Sequence, residues 1–334
     1  MPSKKIALIS NETPDTTLVE EGLEGLNYDL EVSVCQSEGE TIEAIKGVDV
    51  IINLQVPMSR TIIDEIDTAN AIIVGSHGFN HIDHDAATNN GVMVINSAGF
   101  CTEEVSNHTI GFLLACAKSL VQLDKHVREG KWRDAGMPIL PPIDGQTFGI
   151  VGMGNIGRAT ARKAQVFGLN VISYDPYLPP WISKEYRVEM VQSLEELASR
   201  SDYVSVLVPL NKQTKGLIDK SFFDSMKSSA YFINTCRGQT VDENSLIQIL
   251  EQGRIAGAAL DVFEQEPPDP NNPLFKLNNV ILTPHSAGHS TLSSSASLTR
   301  VGQEAARILR DSWPMSLVNH EVRNQIETRL PAKR

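Results

Sequence analysis

The sequence predicts an α/β protein built on two doubly wound parallel sheets. Two successive series of short apolar runs alternate with helical intervals, a glycine-spaced turn opens the second series near residue 147, and 334 residues leave room for two cores. In the first hundred residues the strand candidates are 5–9, 30–34, 48–53, 71–74 and 92–95, with helical intervals such as 41–46 and 59–66 between them. Strands separated by helices imply parallel βαβ units with right-handed crossovers, hence an open sheet covered on both faces.

An apolar stretch over residues 103–118, containing Ile110, Phe112, Leu113 and Leu114, predicts a long helix between the two series. The proline-rich segment Met137-Pro138-Ile139-Leu140-Pro141-Pro142 predicts a loop, because consecutive prolines supply no donors to a helix or a ladder. The second series has strand candidates at 147–151, 170–174, 203–208, 230–234, 255–262 and 280–283, with helices at 156–167 and 243–251 and a capping-box start at Ser193-Leu194-Glu195-Glu196. Val301, Ala305, Ile308 and Leu309 keep the spacing of an amphipathic helix after the last strand. The final segment, with Arg323, Arg329, Lys333 and Arg334, is poor in apolar residues and is expected to fray.

Lys plus Arg number 29 against 41 Asp plus Glu, a net charge of −12 that argues against a nucleic-acid or anionic-membrane surface. An anionic substrate then needs local positive charge. The N-terminus leads into only a short apolar run, residues 6–9, so neither a secretory signal nor a membrane span is expected and the chain is expected in the cytoplasm. Cys35, Cys101, Cys116 and Cys236 lie far apart without a CxxC pair, which suits reduced thiols.

The turn Gly152-Met153-Gly154-Asn155-Ile156-Gly157 after an apolar strand and before a helix is a dinucleotide fingerprint. Gly152 permits the sharp turn, Gly154 lets backbone N–H groups approach a pyrophosphate at the helix start, and Gly157 lets helix and strand pack closely. Such a turn can also be structural, so the companion acid matters. The next apolar run ends in Asp175, where a ribose-binding carboxylate belongs. Pro176 and Tyr177 follow it with no Arg to receive a 2′-phosphate, so NAD is expected over NADP.

Ligands of open α/β sheets bind beyond the carboxyl ends of the strands. Three residues sit there: Arg237, Glu266 and His285. Reduction of a carbonyl by hydride leaves an alkoxide that needs a proton, and His285 is the candidate acid/base. A carboxylate beside it, Glu266, favours the imidazolium and fixes one tautomer, and Arg237 offers a fork of donors to a substrate carboxylate and to the polarised carbonyl oxygen. Taken singly, each has a plainer reading: a surface ion-pair partner, a solvated loop acid that Glu264 would serve as well, and a satisfied loop histidine. Their shared placement points to function.

The blocks Phe148 to Gly157, Asn234-Thr235-Cys236-Arg237-Gly238, Gly253 to Phe263 with Glu266-Pro267, and Thr283-Pro284-His285 resemble the signatures of the D-isomer-specific 2-hydroxyacid dehydrogenases. The resemblance implies two Rossmann-like and flavodoxin-like doubly wound domains with a cleft between them: a substrate domain of residues 1–102 plus 299–334 and an NAD-binding domain of residues 103–298. It implies an NAD-dependent oxidoreductase acting on a CH–OH group, which interconverts a 2-oxo acid and a D-2-hydroxy acid as a homodimer. Arg237 would then bind substrate, Glu266 tune the histidine and His285 donate the proton. Gly152, Gly154, Asn155, Ile156, Gly157, Asp175, Val208, Pro209, Thr214, Thr235, Cys236, Asp261 and His285 would line NAD.

Residues 75–83 resemble the family's substrate loop, so Ser76, His77 and Gly78, with Arg237, are the expected substrate contacts. His77 stands where a small residue is usual, Asn80-His81 replace an Asp-Asn pair, and Asn107 replaces a common Glu. His77, His81 and His84 lack paired ligand spacing, so no metal is expected. His108 reads as a packing or interface residue. Two other readings stay open: a dehydrogenase of another small anion, and an NAD(H)-sensing module like the C-terminal-binding-protein corepressors. Glu266 weighs against a formate site, which has Gln there, and the lack of an aromatic after His285 weighs against the corepressors.

Overall fold

The computed structural model describes residues 3–135 and 137–326. The chain divides into two compact units, Met1–Cys101 with Ser290–Arg334, and Thr102–His289. The sequence expectation placed the return to the first unit at residue 299, which falls inside the single helix Thr291–Leu309. That helix is capped reciprocally by Ser290 and Ser293, and its first turns are serine-rich yet partly buried at Ser293 and Ser297. Small polar side chains therefore hid the start of a core helix from hydrophobic periodicity.

The first unit carries five strands, β1 (Lys4–Ser10), β2 (Tyr28–Val34), β3 (Val50–Leu54), β4 (Ala71–Val74) and β5 (Met93–Asn96), in the order β2-β1-β3-β4-β5. All pairings are parallel. β4 and β5 are buried at every residue, as sheets covered on both faces require, whereas the edge strand β2 leaves Val32 and Val34 exposed. The helices Thr17–Gly22 and Thr291–Leu309 cross at Gly22 and Gly302, where a Cβ on Gly302 would lie 2.1 Å from the Val19 carbonyl oxygen. The expectation of a frayed final segment is corrected as far as residue 326. Val322 and Ile326 lie in the core, and the Arg323 guanidinium sits 5.4 Å from the Trp313 ring centroid. Arg329, Lys333 and Arg334 lie outside the described residues.

The second unit carries β6 (Thr147–Val151), β7 (Asn170–Tyr174), β8 (Glu189–Met190), β9 (Tyr203–Val206), β10 (Tyr231–Asn234), β11 (Gly257–Leu260) and β12 (Val280–Leu282). They form one parallel sheet in the order β12-β11-β10-β9-β6-β7-β8. Six of these strands were read from the sequence, and β8, two residues at the edge, carries no apolar run to betray it. The chain enters at β6, builds to β8 on one side and then from β9 to β12 on the other. The order thus reverses between β6 and β9, the crevice where ligands of such sheets bind. The long helix expected over 103–118 spans Thr102–Ala117 and is followed by Leu120–Arg128. Among the described residues no helix is long and apolar enough to cross a membrane.

Candidate active site

At the switch point the glycines are required by space. Gly152 follows β6 at φ 97°, and a Cβ there would lie 2.8 Å from the Leu207 carbonyl oxygen and from Val208 Cγ1. A Cβ on Gly157 would lie 2.2 Å from the Gly152 carbonyl oxygen, so helix and turn touch. Gly154 differs: its missing side chain would meet nothing within 4 Å. It is the N-cap of the helix Asn155–Val166, and no side chain caps that end. Open space in front of uncapped N–H groups at Asn155, Ile156 and Gly157 fits a pyrophosphate. Asp175, at the end of β7, accepts hydrogen bonds from the Met153 N–H (2.9 Å) and the Tyr177 N–H (3.0 Å), so the acid is anchored to the glycine turn itself. These features fit a dinucleotide.

The other expected cofactor residues lie at the ends of β9 and β10. Thr214 ties the loop after β9 together by donating to the Pro209 carbonyl (2.6 Å) and accepting from the Asn211 N–H (2.9 Å), while Val208 flanks the turn at Gly152. The Thr235 hydroxyl pairs with that of Thr109 at 2.8 Å, and the Cys236 N–H donates to Asn234 Oδ1 at 3.0 Å. Burial pushes the Cys236 thiol above its ordinary pKa, so it stays protonated.

Three loops of this unit converge. Gly238 lets the loop after β10 press on residues 263–264, where a Cβ would come within 1.8 Å of the Phe263 carbonyl carbon. Arg237, adjacent to that contact, donates from Nη1 to the Cys236 carbonyl at 2.6 Å, and its charge acts on the Glu266 carboxylate. Glu266 accepts the Phe263 N–H through Oε1 (3.0 Å) and His285 Nδ1 through Oε2 (2.6 Å). Burial alone would raise the Glu266 pKa, but the hydrogen bonds from His285 and Phe263 and the charges of His285 and Arg237 outweigh it and hold the carboxyl below its ordinary value. An ionised carboxylate only accepts, so the ring proton sits on Nδ1 and Nε2 is the nitrogen left for proton exchange. A cavity of about 390 Å³ with apolar walls at Phe263, Pro268, Phe275 and Leu282 adjoins the pair.

His285 occupies the left-handed region at φ 52°, uncommon for a residue with a Cβ. Asp261 holds it there. The Asp261 carbonyl accepts the His285 N–H at 2.7 Å, and the Asp261 carboxylate accepts the N–H groups of Ser286 and Ala287, each at 2.8 Å, together with the Thr283 hydroxyl. Asp261 is fully buried. Its carboxylate thus ties down the loop that carries His285. His108, read from the sequence as a packing or interface residue, packs its ring edge-on to Phe112 and brings Nε2 within 3.1 Å of Thr283 Oγ1. Ser76, His77 and Gly78 belong to the other unit, in the loop that follows β4. Among the described residues no three His, Cys, Asp or Glu side chains are grouped to hold a metal ion.

A reversed parallel sheet with an anion cradle at its switch point and a carboxylate–imidazole pair at its carboxyl edge defines a dinucleotide-dependent dehydrogenase. The sequence model of the D-isomer specific 2-hydroxyacid dehydrogenase, NAD binding domain, matches residues 110–287. The chain is 38% identical to the glyoxylate reductase of Korarchaeum cryptofilum over 314 residues, 91% of this chain and 94% of the relative. Among solved structures, a protein of Pyrococcus horikoshii superposes with a TM-score of 0.88 at 27% identity, covering 99% of this chain and 100% of the other. The NADPH-dependent glyoxylate/hydroxypyruvate reductase of Sinorhizobium meliloti, in complex with NADP and malonate, gives 0.83 at 26% identity, with 96% and 98% covered. The chain belongs to the D-isomer-specific 2-hydroxyacid dehydrogenases. Its reaction is the nicotinamide-dependent interconversion of a 2-oxo acid and a 2-hydroxy acid.

Proposed function

We propose that the chain interconverts a small 2-oxo acid and its D-2-hydroxy acid with NAD(H), and that His285 is the acid/base. The observation that carries this reading is the 2.6 Å contact between His285 Nδ1 and Glu266 Oε2. A bound nicotinamide dinucleotide would supply hydride chemistry at the substrate's C2. In reduction, His285 Nε2 gives its proton to the carbonyl oxygen as that oxygen becomes a hydroxyl, and in oxidation it takes the proton back. Glu266, ionised, opposes the charge of the imidazolium without itself accepting the proton. Arg237 steadies the oxygen as negative charge develops on it. The intact pair favours turnover over a module that only senses NAD(H).

Gly152, Gly154, Asn155, Ile156 and Gly157 hold the pyrophosphate in this reading, Asp175 the ribose, and Val208, Pro209, Thr214, Thr235 and Cys236 the remaining length of the dinucleotide. The Asp175 carboxylate repels a 2′-phosphate, which favours NAD. Ser76, His77 and Gly78 contribute to substrate binding. Because the Korarchaeum cryptofilum relative is a glyoxylate reductase, glyoxylate is the first acid to test, followed by hydroxypyruvate, pyruvate and bulkier 2-oxo acids. Saturable NADH oxidation with at least one of them is expected, and tight NADH binding with no turnover on any would reject the assignment.

A homodimer and a reducing, cytoplasmic setting complete the proposal. Leu120, Val121 and Val127 on the helix Leu120–Arg128 are about half exposed, Trp132 is 71% exposed and Ile139 is 99% exposed. Apolar side chains gathered on so short a stretch mark a surface to be covered, and a second copy is the occupant proposed. Light scattering at twice the monomer mass is the expected result. All four cysteines are free thiols, as a reducing compartment requires.

A further inference from the structure

The loop after β4 has an unusual hydrogen-bond account. Each of its four carbonyls is used inside the first unit: Gly75 O accepts Ser297 Oγ (2.7 Å), Ser76 O accepts the Ser97 N–H (3.1 Å), His77 O accepts Asn96 Nδ2 (2.6 Å), and Gly78 O accepts Ser76 Oγ (2.6 Å). The Gly75 N–H donates to the Asn53 carbonyl at 3.0 Å. The N–H groups of Ser76 and Gly78 have no acceptor among the described residues. Both side-chain braces are nearly buried, Asn96 at 8% and Ser297 at 5% exposure, so water competes little for their bonds.

A peptide plane whose carbonyl is held cannot turn over, so its N–H keeps one direction. A set of N–H groups held this way meets an anion without reorganising, which is what makes backbone donors effective. We infer that Asn96 and Ser297 are positioning residues for substrate recognition: they lock the carbonyls of residues 75 and 77 so that the N–H groups of this loop stay presented to the carboxylate of the 2-oxo acid. The inference rests on the proposed substrate role of residues 76–78. It also gives the C-terminal helix a part in recognition, since Ser297 reaches Gly75 across 222 residues of chain.

The test uses the full chain with Asn96→Ala, which removes the donor without adding charge, with Ser297→Ala, and with Ser297→Thr, which keeps a hydroxyl. The readouts are KM for the 2-oxo acid, kcat, NADH affinity by fluorescence, and the Kd of oxalate by calorimetry with NADH present. Asn96→Ala and Ser297→Ala are expected to raise KM and the oxalate Kd by about tenfold while kcat changes less, the pattern of lost ground-state binding. NADH affinity and the unfolding midpoint should stay near those of the parent, and Ser297→Thr should restore most of the oxalate affinity. Unchanged oxalate affinity in both donor-removing variants overturns the inference. So does a loss that follows the unfolding midpoint and is not restored by Thr. Failure of the parent chain to oxidise NADH with any 2-oxo acid counts instead against the proposed function, while the oxalate comparison still tests the brace.

Discussion

Residues 75–78 of the first unit and residues 261–266 and 283–287 of the second all lie in loops at the carboxyl ends of parallel strands, but the two sets are held in opposite ways. In the first, neutral donors from Asn96, Ser97 and Ser297 take up the carbonyls, and the N–H groups of Ser76 and Gly78 are left without an acceptor among the described residues. In the second, the buried Asp261 carboxylate takes up the N–H groups, and the side chains of Glu266 and His285 pair with each other at 2.6 Å. The difference teaches how labour is divided. In the proposed reading, anion recognition rests on backbone donors and proton transfer on the carboxylate–imidazole pair.

The comparison breaks most visibly at the imidazole. His285→Ala is expected to lower kcat at least about a hundredfold, the usual loss when a general acid is removed, while NADH affinity measured by fluorescence stays near that of the parent. An undiminished rate would place the proton donor elsewhere. On the other side, Gly302→Ala tests whether the first unit depends on packing. Its Cβ would lie 2.1 Å from the Val19 carbonyl oxygen, so the helices must separate, at a cost of roughly 1–3 kcal/mol in urea unfolding. Because Ser297 rides on the same helix, KM for the 2-oxo acid should rise with it.

Glu266→Gln sharpens the contrast in pH. The folded-state pKa of Glu266 is depressed, so its contribution to stability is fully present above the unfolded value and is lost as pH falls through the folded one. Parent and variant should therefore differ in stability at neutral pH and converge in acid, as thermal unfolding against pH would show. In kinetics, loss of the partner carboxylate removes support for the imidazolium. In reduction of the 2-oxo acid kcat should fall about tenfold, an effect on the order of one charged hydrogen bond. An unchanged kcat would reduce Glu266 to a loop tether.

What could be read from the sequence divides along the same line. Strands showed as apolar runs, and Arg237, Glu266 and His285 showed because their residue types sit just past strand ends. The supports did not show. Asp261 reaches N–H groups 25 and 26 residues further along the chain, and Gly238 matters only because Phe263 presses on it. Asn96 and Ser297 lie on a strand end and a serine-rich helix with nothing in their spacing to join them. Periodicity and motif report which residues a strand carries, whereas bracing depends on contacts between distant segments that local sequence does not encode.

The smallest expected change concerns cofactor choice, and it tests whether charge in the second unit also discriminates. Asp175 accepts two backbone N–H groups, one of them from the glycine turn, so its side chain is fixed in place. A fixed negative charge at the ribose disfavours the 2′-phosphate of NADPH. Asp175→Ala should narrow the ratio of kcat/KM for NADH over NADPH severalfold, through both a weaker NADH and a less strongly opposed NADPH, because no arginine is added to bind the phosphate. The Sinorhizobium meliloti relative is NADPH-dependent on the same fold, so the fold itself does not dictate the outcome. A ratio unchanged in the variant would remove Asp175 from cofactor discrimination and leave it the lesser task of tying the end of β7 to the turn at Met153.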